Sequence, residues 1–141
     1  MVIFGQKLKD LNYEPKPRAY AVILNHSKQK VLTVQTSSGH YFLPGGGIED
    51  CESVLTCLER ELLEEIGFEI KEQRFIGEAH RYFITRNGKP IINEGRFYLV
   101  KLGNKLQEPI EIDHFTKWID VGMAEDLLVH DHQAWAVHQC L

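Results

Sequence analysis

Residues 43–68 read LPGGGIEDCESVLTCLERELLEEIGF, and they contain the strongest structural signals in the chain. The second half predicts a helix over residues 53–66, because apolar side chains recur there at helical spacing. These side chains are Leu55, Leu58, Leu62 and Ile66. Gly67 is well placed to end the helix in a left-handed conformation. A short strand over residues 41–43 stops at Pro44, so we expect a strand, a glycine-rich loop and a helix in direct succession.

Three glutamates dominate the predicted helix. Glu61, Glu64 and Glu65 are spaced i, i+3 and i+4, which places their side chains on one patch. A solvated helix face is the common outcome for such a charge run. However, residues 45–47 are three consecutive glycines, and glycine lets a backbone approach a metal ion or a phosphate closely. Since hard divalent cations prefer carboxylate and carbonyl oxygen, the combination predicts a metal site.

The segment resembles the signature of the Nudix hydrolase family, G-x5-E-x7-R-E-U-x-E-E-x-G-U, in which U is aliphatic or aromatic. Every fixed position is matched, by Gly46, Glu52, Arg60, Glu61, Leu62, Glu64, Glu65, Gly67 and Phe68. The match covers residues 46–68, about a sixth of the chain. Cys51 stands where relatives commonly carry a glycine, outside the fixed signature. The chain is therefore identified as a small bacterial-type member of the Nudix family.

The resemblance implies an α+β fold, an α/β/α sandwich with a mixed β-sheet, formed by residues 1–141 as a single domain. Residues 1–18 are expected to be an irregular or edge-strand lead-in, because they contain Pro15 and Pro17. Hydrophobic patterns predict strands over residues 18–24, 31–35, 74–85, 96–101 and 116–121, and helices over residues 124–129 and 132–140. Asn87-Gly88 predicts a hairpin turn. Trp118 and Trp135 are expected to pack in the core or under helices.

The resemblance also implies roles for the matched residues. Glu61, Glu64 and Glu65 should hold Mg²⁺ or Mn²⁺ and carry the catalysis, with the backbone carbonyl of Gly46 as a further ligand. Glu61 or Glu64 would act mainly as the general base, a role that varies among relatives.

Other matched residues should shape the site. Glu52 and Arg60 should orient the loop and the helix, and Gly67 completes the structural part of the signature. Relatives often place one more acidic ligand on a later loop, for which Glu108 and Glu111 are the candidates. For each of these two, a solvated loop charge is the alternative.

Members of the family hydrolyse a nucleoside diphosphate linked to another group, so we expect a small nucleotide as substrate. A non-catalytic nucleotide-binding module and an RNA 5′-end pyrophosphohydrolase are the two alternatives. The RNA activity should require a basic groove, which the net charge of −4 and the absence of a Lys/Arg cluster disfavour. Phe83 and Ile84 lie where relatives that cut ADP-ribose carry a proline, which weakly favours a nucleoside triphosphate.

The sequence excludes several other classes. Its apolar runs are shorter than the ~20 residues of a membrane-spanning helix, and its three cysteines lack disulfide or zinc-ligand spacing. We therefore expect a cytoplasmic protein with free thiols. The substrate-binding residues are not identified, although Tyr41, Phe42, Tyr82 and Phe83 include candidates for stacking on a base. A homodimer formed through edge strands stays open.

Overall fold

The structure is a computed structural model that describes residues 1–111 and 113–141. Its strands within these residues are β1 (Val2–Phe4), β2 (Glu14–Val22), β3 (Lys30–Thr36), β4 (Tyr41–Phe42), β5 (Gly45–Gly47), β6 (Phe68–Ile84), β7 (Pro90–Lys105) and β8 (His114–Asp120). Its helices are α1 (Val54–Glu65), α2 (Ala124–Leu127) and α3 (Asp131–His138), with a 3₁₀ turn at Val121–Met123 before α2. Both closing helices are shorter than predicted.

The strands form two sheets. The larger sheet is mixed, with the order β1-β6-β7-β2-β5, in which β2 runs parallel to β7 and antiparallel to β5. The smaller sheet is antiparallel, with the order β4-β3-β8. The predicted α+β fold with a mixed sheet is confirmed. The smaller sheet was not anticipated as a separate unit, because a strand pattern does not specify its pairing partner.

The β2 strand supplies side chains to the cores on both of its faces. Ala19 and Ala21, together with Ile23 just after the strand, pack in one cluster with the apolar stripe of α1. Tyr20 and Val22 pack in the other cluster with residues of α2 and α3. Because successive side chains of a strand point to opposite faces, this single strand lies between two helical layers.

The prediction that residues 1–18 form an irregular or edge-strand lead-in is wrong for residues 14–18, which belong to an inner strand. The first strand, β1, lies at the edge of the larger sheet as expected, but β2 begins at Glu14 and includes both prolines. On the side away from β7, β5 pairs only with residues 18–20 of β2. Pro15 therefore lies in a part of the strand that pairs on one side, where proline is tolerated. At Pro17 the carbonyl accepts from the Ile48 N–H at 3.0 Å, which needs no N–H from the proline.

Strands β6 and β7 extend well beyond their predicted ranges. They pair antiparallel from Phe68–Lys105 to Ile84–Pro90, with three register shifts along the way. Such bulges break the alternation of buried and exposed side chains from which strands are predicted. The hairpin turn between them is confirmed, since the N–H of Gly88, with a φ of +84°, donates to the carbonyl of Thr85.

The two tryptophans differ in their environments. Trp135 packs against the core, with its ring centroid 6.0 Å from that of Phe97, as predicted. Trp118 is 46% exposed, so the prediction of a core position is wrong. It lies on β8, an edge strand of the smaller sheet. Among the described residues, no helix is long and apolar enough to cross a membrane.

Candidate active site

The glycine run is a strand instead of the expected loop. Gly45–Gly47 pair antiparallel with residues 18–20 of β2. A Cβ atom on Gly45 would lie 2.1 Å from the carbonyl oxygen of Ala19, and one on Gly46 would lie 2.4 Å from Oε1 of Glu61. A side chain at Gly45 would therefore clash with backbone, and one at Gly46 would displace the Glu61 carboxylate. The glycines therefore bring the backbone of β5 into direct contact with the carboxylates of α1.

Glu65 is the most buried of the three glutamates, with 6% of its surface exposed. Its Oε1 accepts a hydrogen bond from the Gly45 N–H at 2.8 Å, and its Oε2 lies 3.1 Å from Nδ1 of His114. Burial is the largest cause that raises the pKa of Glu65 to about 8, and the charges of Glu61 and Glu111 add to it. The charged form of this carboxylate thus lacks a sufficient counter-charge.

Glu61 and Glu64 share one arginine. Nη1 of Arg60 lies 3.1 Å from Oε1 of Glu61 and 3.4 Å from Oε2 of Glu64. Burial, partly offset by Arg60, raises the pKa of Glu61. The helical spacing therefore brings the three carboxylates to one patch beside β5, with a single arginine among them; we call Glu61, Glu64 and Glu65 the glutamate patch.

Arg60 also fixes the loop before α1. Its Nε and Nη2 donate to the two carboxylate oxygens of Glu52 at 2.6 and 3.0 Å, and Nη2 donates to the Gly47 carbonyl at 3.1 Å. Hydrogen bonds from Arg60 lower the pKa of Glu52 to about 2. Because this contact is bidentate and charge-assisted, it is stronger than the 3.4 Å contact of Arg60 with Glu64. Arg60 thereby ties β5, the loop and the helix together.

Both ends of α1 are specified locally. The Oγ of Ser53 accepts a hydrogen bond from the Thr56 N–H at 3.1 Å, which caps the first turn. Gly67 has a φ of +81°, and its N–H donates to the Leu62 carbonyl at 3.0 Å. The predicted left-handed stop of the helix is confirmed.

The two later acidic candidates lie in different places. Glu108 is exposed, and its Oε1 pairs with Nζ of Lys105 at 2.9 Å. Glu111 is half-buried, and its charge contributes to the raised pKa values of Glu61 and Glu65. The fold therefore brings Glu111 towards the glutamate patch and leaves Glu108 bound to a lysine.

A cavity of about 360 Å³ lies beside Glu65. Asn93 and Gln133 line it, and both are at most 1% exposed. Asn93 donates to the Tyr20 hydroxyl through Nδ2, and Gln133 accepts from the Leu43 N–H through Oε1. In the described part of the chain, Asn93 Oδ1 and Gln133 Nε2 have no partner. Each amide is thus held by one atom and leaves the other free, as expected for groups that bind a ligand.

Sequence reasoning missed several residues of this region. His114, Asn93 and Gln133 carry no local motif, and they meet the glutamate patch only through strand pairing and the docking of α3. Of the aromatic candidates, Phe42 and Phe83 line the cavity, whereas Tyr41 and Tyr82 do not.

The glutamate patch offers oxygen donors of the kind that Mg²⁺ and Mn²⁺ bind. Among residues 1–111 and 113–141, no three acidic, histidine or cysteine side chains stand close enough to share one ion as they are oriented here. The reason is visible in the contacts, since Glu61 and Glu64 turn towards Arg60 while Glu65 accepts from Gly45. Rotation of these carboxylates would be needed for them to converge on an ion.

Comparison with known proteins gives the following matches. Residues 15–138 match the model of the NUDIX domain. The chain is 47% identical over 53 residues to the 8-oxo-dGDP phosphatase NUDT18 of Danio rerio. This match covers 35% of this chain and 16% of that protein. It is 27% identical over 90 residues to an RNA pyrophosphohydrolase of Actinobacillus pleuropneumoniae serotype 5b (strain L20), covering 64% of this chain and 44% of that one. The chain thus spans less than half the length of either relative.

Solved structures share the fold. A NUDIX hydrolase from Nitrosomonas europaea superposes with a TM-score of 0.70 at 18% identity, over 90% of this chain and 88% of that chain. A MutT NUDIX hydrolase from Burkholderia pseudomallei gives a TM-score of 0.69 at 19% identity, over 91% and 99% of the two chains. An Ap4A hydrolase from C. elegans gives 0.66 at 17% identity, over 89% and 94%.

Proposed function

Because this chain belongs to the Nudix family of hydrolases, we propose that it cleaves the pyrophosphate linkage of a nucleoside diphosphate joined to another group, with Mg²⁺ or Mn²⁺ as its metal. The proposal depends chiefly on one observation, the burial of Glu65 against the backbone of β5 beside a cavity with unpaired polar groups. A nucleoside triphosphate or a related small nucleotide is the proposed substrate.

The donor set fits a hard divalent cation. Burial raises the pKa values of Glu61 and Glu65, so a cation beside them would offset negative charge that Arg60 alone does not neutralise. We assign Glu61, Glu64, Glu65 and the carbonyl of Gly46 as ligands, with Glu111 as a further candidate. When bound, such an ion supplies Lewis-acid stabilisation of negative charge on phosphate oxygens.

The chain's own residues would orient the reaction. Water attacks one phosphorus, a new P–O bond forms, and the bridging P–O bond to the other phosphate breaks. Glu61 or Glu64 would accept the proton of that water as general base. His114 would orient the Glu65 carboxylate through the 3.1 Å contact, and Arg60 would hold the helix against the loop. Positioning of this kind supplies a large part of the catalysis in phosphoryl transfer.

The nucleoside would occupy the cavity beside Glu65. Asn93 Oδ1 can accept a hydrogen bond from it and Gln133 Nε2 can donate one, while Phe42 and Phe83 supply apolar walls. Such convergence of a few polar groups in an apolar recess is typical of small-molecule sites. The complete set of glutamates disfavours a non-catalytic binding module, since binding alone does not require so much buried negative charge.

The test is a panel of nucleotides assayed with Mg²⁺, with and without added inorganic pyrophosphatase, which distinguishes release of pyrophosphate from release of phosphate. We expect Glu65→Gln to lose more than about nine-tenths of the wild-type rate, since metal catalysis contributes most of the acceleration. Glu59→Gln, an exposed glutamate on the same helix, is the matched control and should retain the wild-type rate. Circular dichroism checks that both variants fold.

Retention of more than about a tenth of the rate by Glu65→Gln would contradict the assigned role. No turnover of any nucleotide by the wild-type protein would instead support the non-catalytic binding module.

A further inference from the structure

A second cavity, of about 640 Å³, collects basic side chains from separate parts of the chain. His26 and Lys28 come from the turn after β2, Lys71 from β6 and Lys101 from β7. The sequence has no run of lysines, so this grouping in space is not evident from the sequence. Among the described residues, Lys28 and Lys71 form no salt bridge, and only Lys101 has a partner, Glu72 at 3.6 Å. The cavity is therefore positively charged in a protein whose net charge is −4.

An exposed indole lies in the same place. Trp118 is 46% exposed and lines both this cavity and a neighbouring one of about 340 Å³, with Leu102 shared between them. The two cavities adjoin at these two residues, and we call them together the Trp118 groove. Lys28, Lys71 and Lys101 line one part of it, and the paired Lys105 and Glu108 line the other. A large aromatic ring left open beside cations is the arrangement with which proteins bind single-stranded nucleic acid, because the ring stacks on bases and the lysines contact phosphates.

The Trp118 groove is connected to the glutamate patch along β8. His114, Thr116 and Trp118 occupy alternate positions of that strand, so their side chains lie on one face. His114 contacts Glu65, and the four residue-to-residue steps from His114 to Trp118 span about 13 Å of strand. A small nucleotide held at Glu65 would remain in the first cavity, whereas a chain of nucleotides could extend over Thr116 towards Trp118.

We propose that the Trp118 groove binds a single-stranded oligonucleotide whose 5′ end lies at Glu65. The inference rests on the proposed function for the reaction at that end, and it extends the substrate class from small nucleotides to 5′-phosphorylated chains. A bare anion would use the lysines and leave the indole without a role. An apolar peptide would use the indole and leave the lysines without one.

The binding test uses a 3′-labelled ten-nucleotide RNA with a 5′-hydroxyl end, which cannot be cleaved, measured by fluorescence anisotropy. We expect Lys28→Glu/Lys71→Glu to weaken binding at least ten-fold in 50 mM salt. The double variant should also reduce the slope of log affinity against log salt by about 1.4, since each phosphate contact on a single strand contributes about 0.7. Trp118→Ala should weaken binding five-fold or more, and Trp118→Phe should restore most of the affinity.

Matched controls lie on the opposite face of the same strand. Lys117→Glu makes the same charge reversal and Phe115→Ala removes a ring that is 54% exposed, so both should bind RNA as the wild type does. Hydrolysis of nucleoside triphosphates by all these variants should be unchanged. The same sequence tested as DNA distinguishes a groove that reads the ribose from one that reads only phosphates and bases.

The outcomes separate this inference from the proposed function. Absence of RNA binding, equal losses in the controls, or equally tight binding of inorganic tripolyphosphate would overturn the Trp118 groove while leaving nucleotide hydrolysis intact. Loss of hydrolysis throughout, with RNA binding that still depends on Trp118 and the lysines, would overturn the proposed function and leave the groove.

Discussion

Cys51 adopts a left-handed backbone conformation, with a φ of +67°. A residue with a Cβ atom pays roughly 1–2 kcal/mol for this conformation, whereas glycine pays little beyond its larger loss of chain entropy. Cys51 is exposed and belongs to neither of the two hydrophobic core clusters. We therefore expect Cys51→Gly to raise the free energy of unfolding by about 0.5–1 kcal/mol in urea titrations. Cys51→Ala keeps the Cβ atom and is the control; an equal gain from alanine would contradict the backbone explanation.

His132 predicts how stability responds to acid. It is fully buried, neither ring nitrogen has a partner among the described residues, and burial lowers its pKa to about 3 from the usual 6.5. Between pH 6.5 and 3 the unfolded chain binds a proton at this position and the folded chain does not. The free energy of unfolding must therefore fall as the pH falls through that window, by as much as about 4 kcal/mol from this residue.

Denaturation of His132→Leu at a series of pH values measures this contribution. The variant should show a visibly smaller loss of stability between pH 6.5 and 3 than the wild type. Replacement of the exposed His26 by Asn controls for the loss of a histidine as such. A His132→Leu profile parallel to that of the wild type would show that the buried ring does not drive acid unfolding. His130, whose pKa burial lowers to about 4, should contribute to the slope in the same direction.

At the scale of single residues, the sequence predicts which site residues lie together only when they are also close along the chain. Glu61, Glu64 and Glu65 could be recognised because helical spacing alone brings their side chains together. His114 and Gln133 could not, since they reach the same region from β8 and α3, more than 45 residues later. Nothing in their local sequence distinguishes them from ordinary polar side chains.

The α1 helix shows how far local signals reach at the scale of elements. Its end at Gly67 was predicted from sequence, and the predicted start at Ser53 is the residue that caps the helix, because helix ends depend on residues within one turn. Strand β5 was expected to be a loop, since glycine is a poor strand former. Its extended conformation comes from pairing with β2 and contact with α1, neither of which is visible locally.

Gly67 should be the less replaceable of two glycines with similar backbone angles. A Cβ atom there would lie 1.9 Å from the carbonyl oxygen of Gln107, whereas a Cβ on Gly39 would meet nothing within 4 Å. Gly39→Ala should cost about 1 kcal/mol from backbone strain alone, and Gly67→Ala about 3 kcal/mol or more, because the clash adds to the strain. Urea denaturation of the two variants tests the difference. Equal costs would mean that the loop at Gln107 moves aside freely.

At the scale of the whole molecule, folding separates charges that the net charge adds together. The value of −4 disfavours nucleic acid as a partner, and that expectation stays a prediction. Acidic side chains gather at the glutamate patch, and lysines distant in sequence gather around Trp118. Net charge is a sum over the surface and contains no information about this separation, which depends on how the two sheets pack.

Binding of Mg²⁺ at the glutamate patch should stabilise the whole fold. An ion that binds the folded chain and not the unfolded one raises the free energy of unfolding by RT ln(1 + [L]/Kd), about 2.7 kcal/mol when the ion is at 100 times its Kd. Thermal unfolding of the wild type should therefore shift to higher temperature in Mg²⁺ than in EDTA.

The same comparison in Glu65→Gln separates the patch from general effects of salt. The variant lacks the carboxylate that is most deeply buried, so its unfolding temperature should respond to Mg²⁺ much less than that of the wild type. Glu59→Gln should respond as the wild type does, because Glu59 is exposed on α1 and not among the proposed ligands. KCl at the same ionic strength should shift the unfolding temperatures of all three proteins by the same small amount, because screening by salt acts on them alike. An equal Mg²⁺ shift in Glu65→Gln would place the ion elsewhere on the molecule, and the assignment of the glutamate patch as the metal site would then be wrong.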